Sequence, residues 1–320
     1  MGKFWYITLS IVLWWFTGCR RADEAPQFYR SPDQSQIQVV TTTNIIADIA
    51  RNIGGREVQV VSLMGAGVDP HLYKAREGDI RRMSEADIIF YNGLHLEGKM
   101  VDILKGMTRF ALTVPVAEAI PDSLLIYPEQ FEGNPDPHVW FDIKMWEYAV
   151  IQIAQTLQAY DTLNASYYHK NLTRYLAALD TLNSYIHRRV QELPVQRRII
   201  ITAHDAFNYF GRAYGFTIYG LQGISTASEA GAKDVRRLAT VIVQHQIPAI
   251  FVETSVSPRN IEALKEAVHA RGFMVRIGGY LYSDSLGEPG TPEGTYIGMV
   301  KHNIDTIVES LNTPVQTKNE

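Results

Sequence analysis

From Ile37 onward the chain alternates short β-branched runs with longer amphipathic stretches, a rhythm that admits few folds. Ile37–Val40, Val58–Met64, Ile88–Tyr91 and Leu112–Val114 read as strands. A helix from about Asn44 to Ile53 closes at Gly54-Gly55, and Asp79–Glu85 lies in another. After an acidic, proline-containing loop from Pro121 to Pro137 the pattern restarts, with strand-like runs at Arg198–Thr202, Phe216–Leu221, Ala249–Val252 and Met274–Ile277. Such alternation predicts an α/β architecture of parallel sheets covered by helices, one sheet in each half.

No Gly/Ser linker separates the halves. Instead Leu163, Tyr167, Leu172, Tyr175, Leu176, Leu179, Leu182, Ile186 and Val190 recur at helical spacing, and the run ends before Pro194. About thirty residues at 1.5 Å each give a helix of roughly 45 Å. One helix of that length joining two lobes is a stiff spacer, so little domain motion is expected. The division expected is an N-terminal βα lobe over 37–162, the bridging helix over 163–193 and a C-terminal βα lobe over 194–320.

Of the 320 residues, 46% are hydrophobic, enough for a sizeable core, and 20% are charged, too few for a disordered chain. A net charge of −4 with no long basic run gives no reason to expect a nucleic-acid partner. The single cysteine, Cys19, excludes a disulfide within the chain. Ahead of it stand Met1-Gly2-Lys3, an apolar stretch from Phe4 to Phe16, and Thr17-Gly18. The apolar stretch is short for a membrane span and reads as a signal-peptide core. Small residues before a lone cysteine resemble a bacterial lipoprotein cleavage box, with Phe16 where that pattern usually carries Leu. On this reading residues 1–18 are a signal peptide, Cys19 becomes the lipid-modified N-terminus, and residues 19–36 form a polar tether. An uncleaved N-terminal anchor is the alternative. Either one leaves the body of the protein outside the cytoplasm and attached to a membrane.

Asp-Pro-His occurs twice, at Asp69-Pro70-His71 and Asp136-Pro137-His138, each copy just past an apolar run. A proline-fixed backbone followed by His can hold an imidazole rigidly at a strand end, where a metal ligand is wanted. His204 follows the run Ile199–Ile201, and Asp284 follows a further strand-like run. These four positions lie 67, 66 and 80 residues apart, which excludes a zinc finger and fits a cleft lined by loops from different parts of the fold. Plainer roles compete: His204 could cap a helix, and Asp284 could cap a turn before Gly287. His95 reads as a surface residue, and His169, His187, His245, His269 and His302 as solvated positions on helices. Glu253, at a strand end, either supports a ligand or pairs with a buried base. Trp140 and Tyr282 read as packing beside the candidate ligands.

With these residues in view, the chain resembles the metal-specific solute-binding lipoproteins of bacterial ABC importers, the manganese/zinc cluster A-I family. The resemblance rests on the two Asp-Pro-His motifs, the second continuing into Val139-Trp140, and on Ala86–Gly93 with Leu96-Glu97. In the second half it rests on Thr202–Phe207, Glu253-Thr254 and Leu281–Leu286. It implies two βα lobes bridged by one long helix with the ion held between them, and it puts His71, His138, His204 and Asp284 at the metal-ligand positions. It further implies a monomeric, extracytoplasmic carrier that hands Mn2+ or Zn2+ to a cognate permease and ATPase, and no enzyme activity. Three imidazoles and a carboxylate suit zinc, and also manganese or Fe2+ if the carboxylate binds through both oxygens. Zinc-specific relatives often carry a long His-rich loop in the first lobe. Here Pro121–Pro137 is short and has no His, which tilts the expectation toward manganese or a mixed manganese/zinc cargo. Free imidazole chemistry predicts that affinity falls below about pH 6. A metal-dependent hydrolase would need an open coordination position and a general base, and no His-Glu-x-x-His motif is present. A surface adhesin would need an exposed repeat or binding module, and none is legible.

Overall fold

The computed structural model describes residues 28–31, 35–131 and 133–314. The apolar leader, Cys19 and most of the tether lie outside the described residues. Among those described, no helix is long and apolar enough to cross a membrane.

The first half is built from β1 (Ile37–Thr41), α1 (Asn44–Gly54), β2 (Val58–Ser62), α2 (Glu77–Ser84), β3 (Ile88–Tyr91), α3 (Val101–Met107) and β4 (Leu112–Pro115). The four strands pair in parallel in the order β2-β1-β3-β4. Thr43 caps α1 by accepting from the Ile46 amide, and Gly55, at φ 55°, ends it in a conformation that favours glycine. Between β4 and the next helix, short turns span Asp122–Leu124 and Glu129–Phe131, and α4 (Ile143–Tyr160) follows, capped by Asp142.

The bridging helix α5 runs over Ala165–Gln191, 27 residues or about 40 Å at 1.5 Å per residue. Its core face is Tyr168, Leu172, Tyr175, Leu179, Leu182, Ile186 and Val190. The expected stripe holds with one correction at its start: Leu163 precedes the helix and is 88% exposed. Tyr168, fully buried, joins the stripe beside Tyr167, which packs half-buried against the core. Periodicity extended upstream across Thr162–Asn164 counted a separate turn as helix.

The second half comprises β5 (Ile199–Thr202), α6 (Asn208–Tyr214), β6 (Thr217–Gly220), α7 (Ala232–His245), β7 (Ala249–Glu253), α8 (Arg259–His269), β8 (Arg276–Leu281) and α9 (Tyr296–Asn312). Its strands are parallel, as expected, but they form two pairs, β5-β6 and β7-β8, rather than one sheet. Strand β8 also starts and ends later than its sequence suggests. Its pairing with β7 skips Gly278, a bulge through which the strand continues to Leu281. A side chain at Gly278 would meet the Phe251 ring and Ser310 at 2.8 Å.

One hydrophobic core extends from Ile37 to Leu311, so the two lobes and the helix between them share an interior. The long helix is bonded to both sides: the Asn171 amide donates to the Ile53 carbonyl (2.8 Å), and the Tyr185 hydroxyl and Arg189 guanidinium donate to Asp305 of α9 (2.6 and 2.7 Å). The C-terminal segment returns to the first lobe, where the Tyr296 amide donates to Asp48 and its hydroxyl to the Trp140 carbonyl. Such bonding resists opening of the lobes. Leu179, fully buried in mid-helix, reports on that shared interior: Leu179→Ala is expected to lower unfolding free energy by about 2–5 kcal/mol in denaturant titrations as a single transition. Two separated transitions would show that the lobes fold independently.

Candidate metal centre

The structure brings together all four residues that the sequence singled out. His71 lies in the turn between β2 and α2, His138 opens the short turn Val139–Phe141, His204 stands two residues past β5, and Asp284 three past β8. These last two positions follow the C-terminal ends of parallel strands, the usual place for ligands in such sheets. All four are buried, and one ligand atom from each lies within 4.8 Å of every other. The Nε2 atoms of His71 and His138 are 3.2 Å apart, and those of His204 and His138 3.4 Å. The two carboxylate oxygens of Asp284 split between neighbours, Oδ1 at 3.4 Å from His138 Nε2 and Oδ2 at 3.4 Å from His204 Nε2. An ion about 2.0–2.1 Å from each of four tetrahedral ligands would set them about 3.3 Å apart, close to these His138 and Asp284 distances. Asp284 Oδ1 is buried with no hydrogen-bond partner, an unfavourable state for a carboxylate oxygen unless a cation neighbours it.

Behind the imidazoles stand carboxylates. Asp136 Oδ1 accepts from the His138 amide (3.0 Å) and lies 2.7 Å from its Nδ1, while Glu253, the last residue of β7, accepts from the His204 amide (2.8 Å) and sets Oε2 2.5 Å from its Nδ1. Glu253 is therefore a partner of His204, the first of its two expected roles. The repeated Asp-Pro-His motif is used in two different ways. Asp69 Oδ1 accepts from the His71 amide (2.8 Å), the same local turn, but its Oδ2 takes the Thr226 hydroxyl of the opposite lobe (2.5 Å). His71 Nδ1 consequently has no carboxylate behind it and no hydrogen-bond partner. Gly67 reaches across as well, its amide donating to Ser285 Oγ (2.9 Å). Trp140 covers His138, ring centroids 5.3 Å apart, and its indole donates to the Ser283 carbonyl (2.9 Å), joining the lobes beside the site. His95 is exposed, as expected, and so are His169, His187 and His245; His269 and His302 are half-buried and reach backbone carbonyls.

Most of the chain has counterparts of similar sequence and fold. A family model described as zinc-uptake complex component A, periplasmic (ZnuA), matches residues 39–310. The chain belongs to the ZnuA family. It is 50% identical over 273 residues to the zinc-binding protein TroA of Treponema pallidum, covering 85% of this chain and 88% of that one. To the manganese-binding lipoprotein MntA of Bacillus subtilis it is 48% identical over 282 residues, covering 88% and 92%. The solved structure of the periplasmic zinc-binding protein TroA superposes with a TM-score of 0.85 at 49% identity, over 87% of this chain and all of that one. Fold and family thus agree with the resemblance carried by the motifs, and the ZnuA family contains both zinc- and manganese-binding members by name.

The electrostatics of the centre are those of a cation site. Burial holds His71 neutral, its pKa lowered to about 3. Burial opposes the charge on His138 too, but the adjacent Asp136 and Asp284 carboxylates outweigh it and raise its pKa to about 9. Burial likewise acts against protonated His204, yet Glu253 and Asp284 lift it well above the usual imidazole range. Asp284, despite its burial, is kept ionised by the two imidazoles it faces. Any divalent cation received by these four atoms must expel the protons that His138 and His204 hold. Cation uptake is therefore expected to release protons at neutral pH, and affinity to fall as pH drops below about 9, by about tenfold per unit for each proton displaced. The fall expected near pH 6 from a free imidazole is displaced upward because the backing carboxylates favour the protonated rings. Isothermal titrations giving equal affinities at about pH 6 and about pH 8 would contradict this coupling.

Proposed function

We propose that this chain is the extracytoplasmic solute-binding component of an ABC importer for a divalent transition metal. It captures Zn2+ or Mn2+ through His71, His138, His204 and Asp284 and delivers the ion to a membrane permease worked by an ATPase. One observation carries the reading: three imidazole nitrogens and a carboxylate oxygen, all buried, lie within 4.8 Å of one another, within reach of a single ion. Four protein ligands remove water from the ion and leave no position for a reactive hydroxide, which favours cargo over catalysis. The donor set accepts zinc, manganese and Fe2+, and the Irving–Williams order gives zinc the greater intrinsic affinity, so site geometry and cellular supply together govern which ion is carried. Membership of the ZnuA family and the zinc- and manganese-binding relatives support this assignment.

The same reading assigns a signal peptide to residues 1–18, a lipid on Cys19 and a membrane tether to residues 19–36. It divides the body into a lobe over 37–162, the bridge over 163–193 and a lobe over 194–320, acting as a monomer. The cross-lobe bonds of the long helix and the leader's composition support it.

Purified protein is expected to bind one Zn2+ or Mn2+ per chain. Stabilisation against thermal unfolding should reach about 4 kcal/mol at a thousandfold excess of free metal over the dissociation constant. His138→Ala is expected to lose most of that stabilisation. A full metal response in this variant would remove these residues as the site.

A further inference from the structure

Asp284 is the one oxygen ligand of the proposed centre, and how it presents its two oxygens decides how many donors an ion meets. Rotamer preferences do not fix this, because the terminal torsion of an aspartate is broad. In the structure both oxygens face the imidazoles, Oδ1 toward His138 and Oδ2 toward His204, each at 3.4 Å. Asp284 Oδ1 has no hydrogen-bond partner, and Oδ2 accepts from the Ser255 hydroxyl at 3.1 Å. Ser255 is in turn 2.9 Å from Ser283 Oγ. Because a carboxylate only accepts, Ser255 spends its proton on Asp284 and receives the one from Ser283, a chain of two hydrogen bonds running toward the carboxylate. Ser283 is fully buried and its carbonyl is tied to the Trp140 indole, so the chain starts from a fixed point. Ser255 is two residues past Glu253, and the end of β7 therefore steadies two members of the centre, His204 through Glu253 and Asp284 through Ser255.

We propose that Ser255 is a positioning residue that determines metal specificity: its hydroxyl, supported by Ser283, holds the Asp284 carboxylate with both oxygens toward the three imidazoles. The inference rests on the metal-binding reading of the site. One hydrogen bond leaves Oδ2 a free lone pair, so three nitrogens and two oxygens are available to the ion. Zinc is satisfied by four ligands in a tetrahedron, whereas manganese favours oxygen donors and fuller coordination. Without the hydroxyl the carboxylate turns to present one oxygen. Zinc loses little by that, and manganese loses a donor it needs.

The test is to measure Mn2+ and Zn2+ affinities side by side for the parent protein, Ser255→Ala and Ser255→Thr, with X-ray absorption of the metal-loaded forms. Ser255→Ala is expected to weaken Mn2+ by about 10–100-fold, the usual effect of losing an outer partner of a ligand, and Zn2+ by less than about threefold. Its absorption spectrum should lose one oxygen from the manganese shell. Ser255→Thr, which keeps the hydroxyl, should restore both. Parallel weakening of the two metals, or no change in either, would overturn the proposal. A parent protein that binds neither metal would instead overturn the metal-binding reading, and this inference with it; that failure is distinguishable because it shows without any substitution.

Discussion

Three imidazoles and a carboxylate crowded together out of water are tolerable only around positive charge, and much of the structure is arranged about that fact. With protons as the charge, His138 and His204 carry them and His71 stays neutral. A metal ion in the same place replaces the protons and satisfies the unpartnered Asp284 oxygen as well. The rest of the fold supplies what this cluster requires: fixed loops, backing carboxylates and exclusion of solvent by Trp140.

The rigidity of the framework follows from a core that both lobes share. Residues of both lobes and of the long helix belong to one hydrophobic core, and α5 is hydrogen-bonded to α1 on one side and α9 on the other. Wide opening would break these contacts together. The His71 segment is the least supported part of the site: its imidazole lacks a backing group, and its cross-lobe ties are the Asp69–Thr226 and Gly67–Ser285 bonds. His138 and His204, by contrast, are held at both backbone and ring by one carboxylate each. The three imidazoles are thus unequal in support although two share the same tripeptide.

Much of this was legible in the chain. Strand and helix positions in the first half follow from apolar periodicity, and the 27-residue helix from its repeating stripe. Local signals also misled in places. The strand expected over Met274–Ile277 runs on to Leu281 through a bulge at Gly278, where Phe251 and Ser310 leave room for no side chain. Leu163 looked like part of a helix face and is exposed on the turn ahead of it. Asp136 gave no separate signal beyond its place in the motif, and Ser255 gave none, since a serine after a strand is unremarkable until its hydroxyl is found against Asp284.

The sequence by itself determined the alternation of strands and helices, the long bridge and the positioning of His204 and Asp284 just past strand ends, because periodicity and turn chemistry act between near neighbours. Only the tertiary structure decided which carboxylate backs which imidazole, why Asp69 turns to Thr226 while Asp136 serves His138, and how the second half divides into two strand pairs. Glu253 meets His204 across 49 residues and Thr226 meets Asp69 across 157, and no pattern among adjacent residues encodes a meeting at that range.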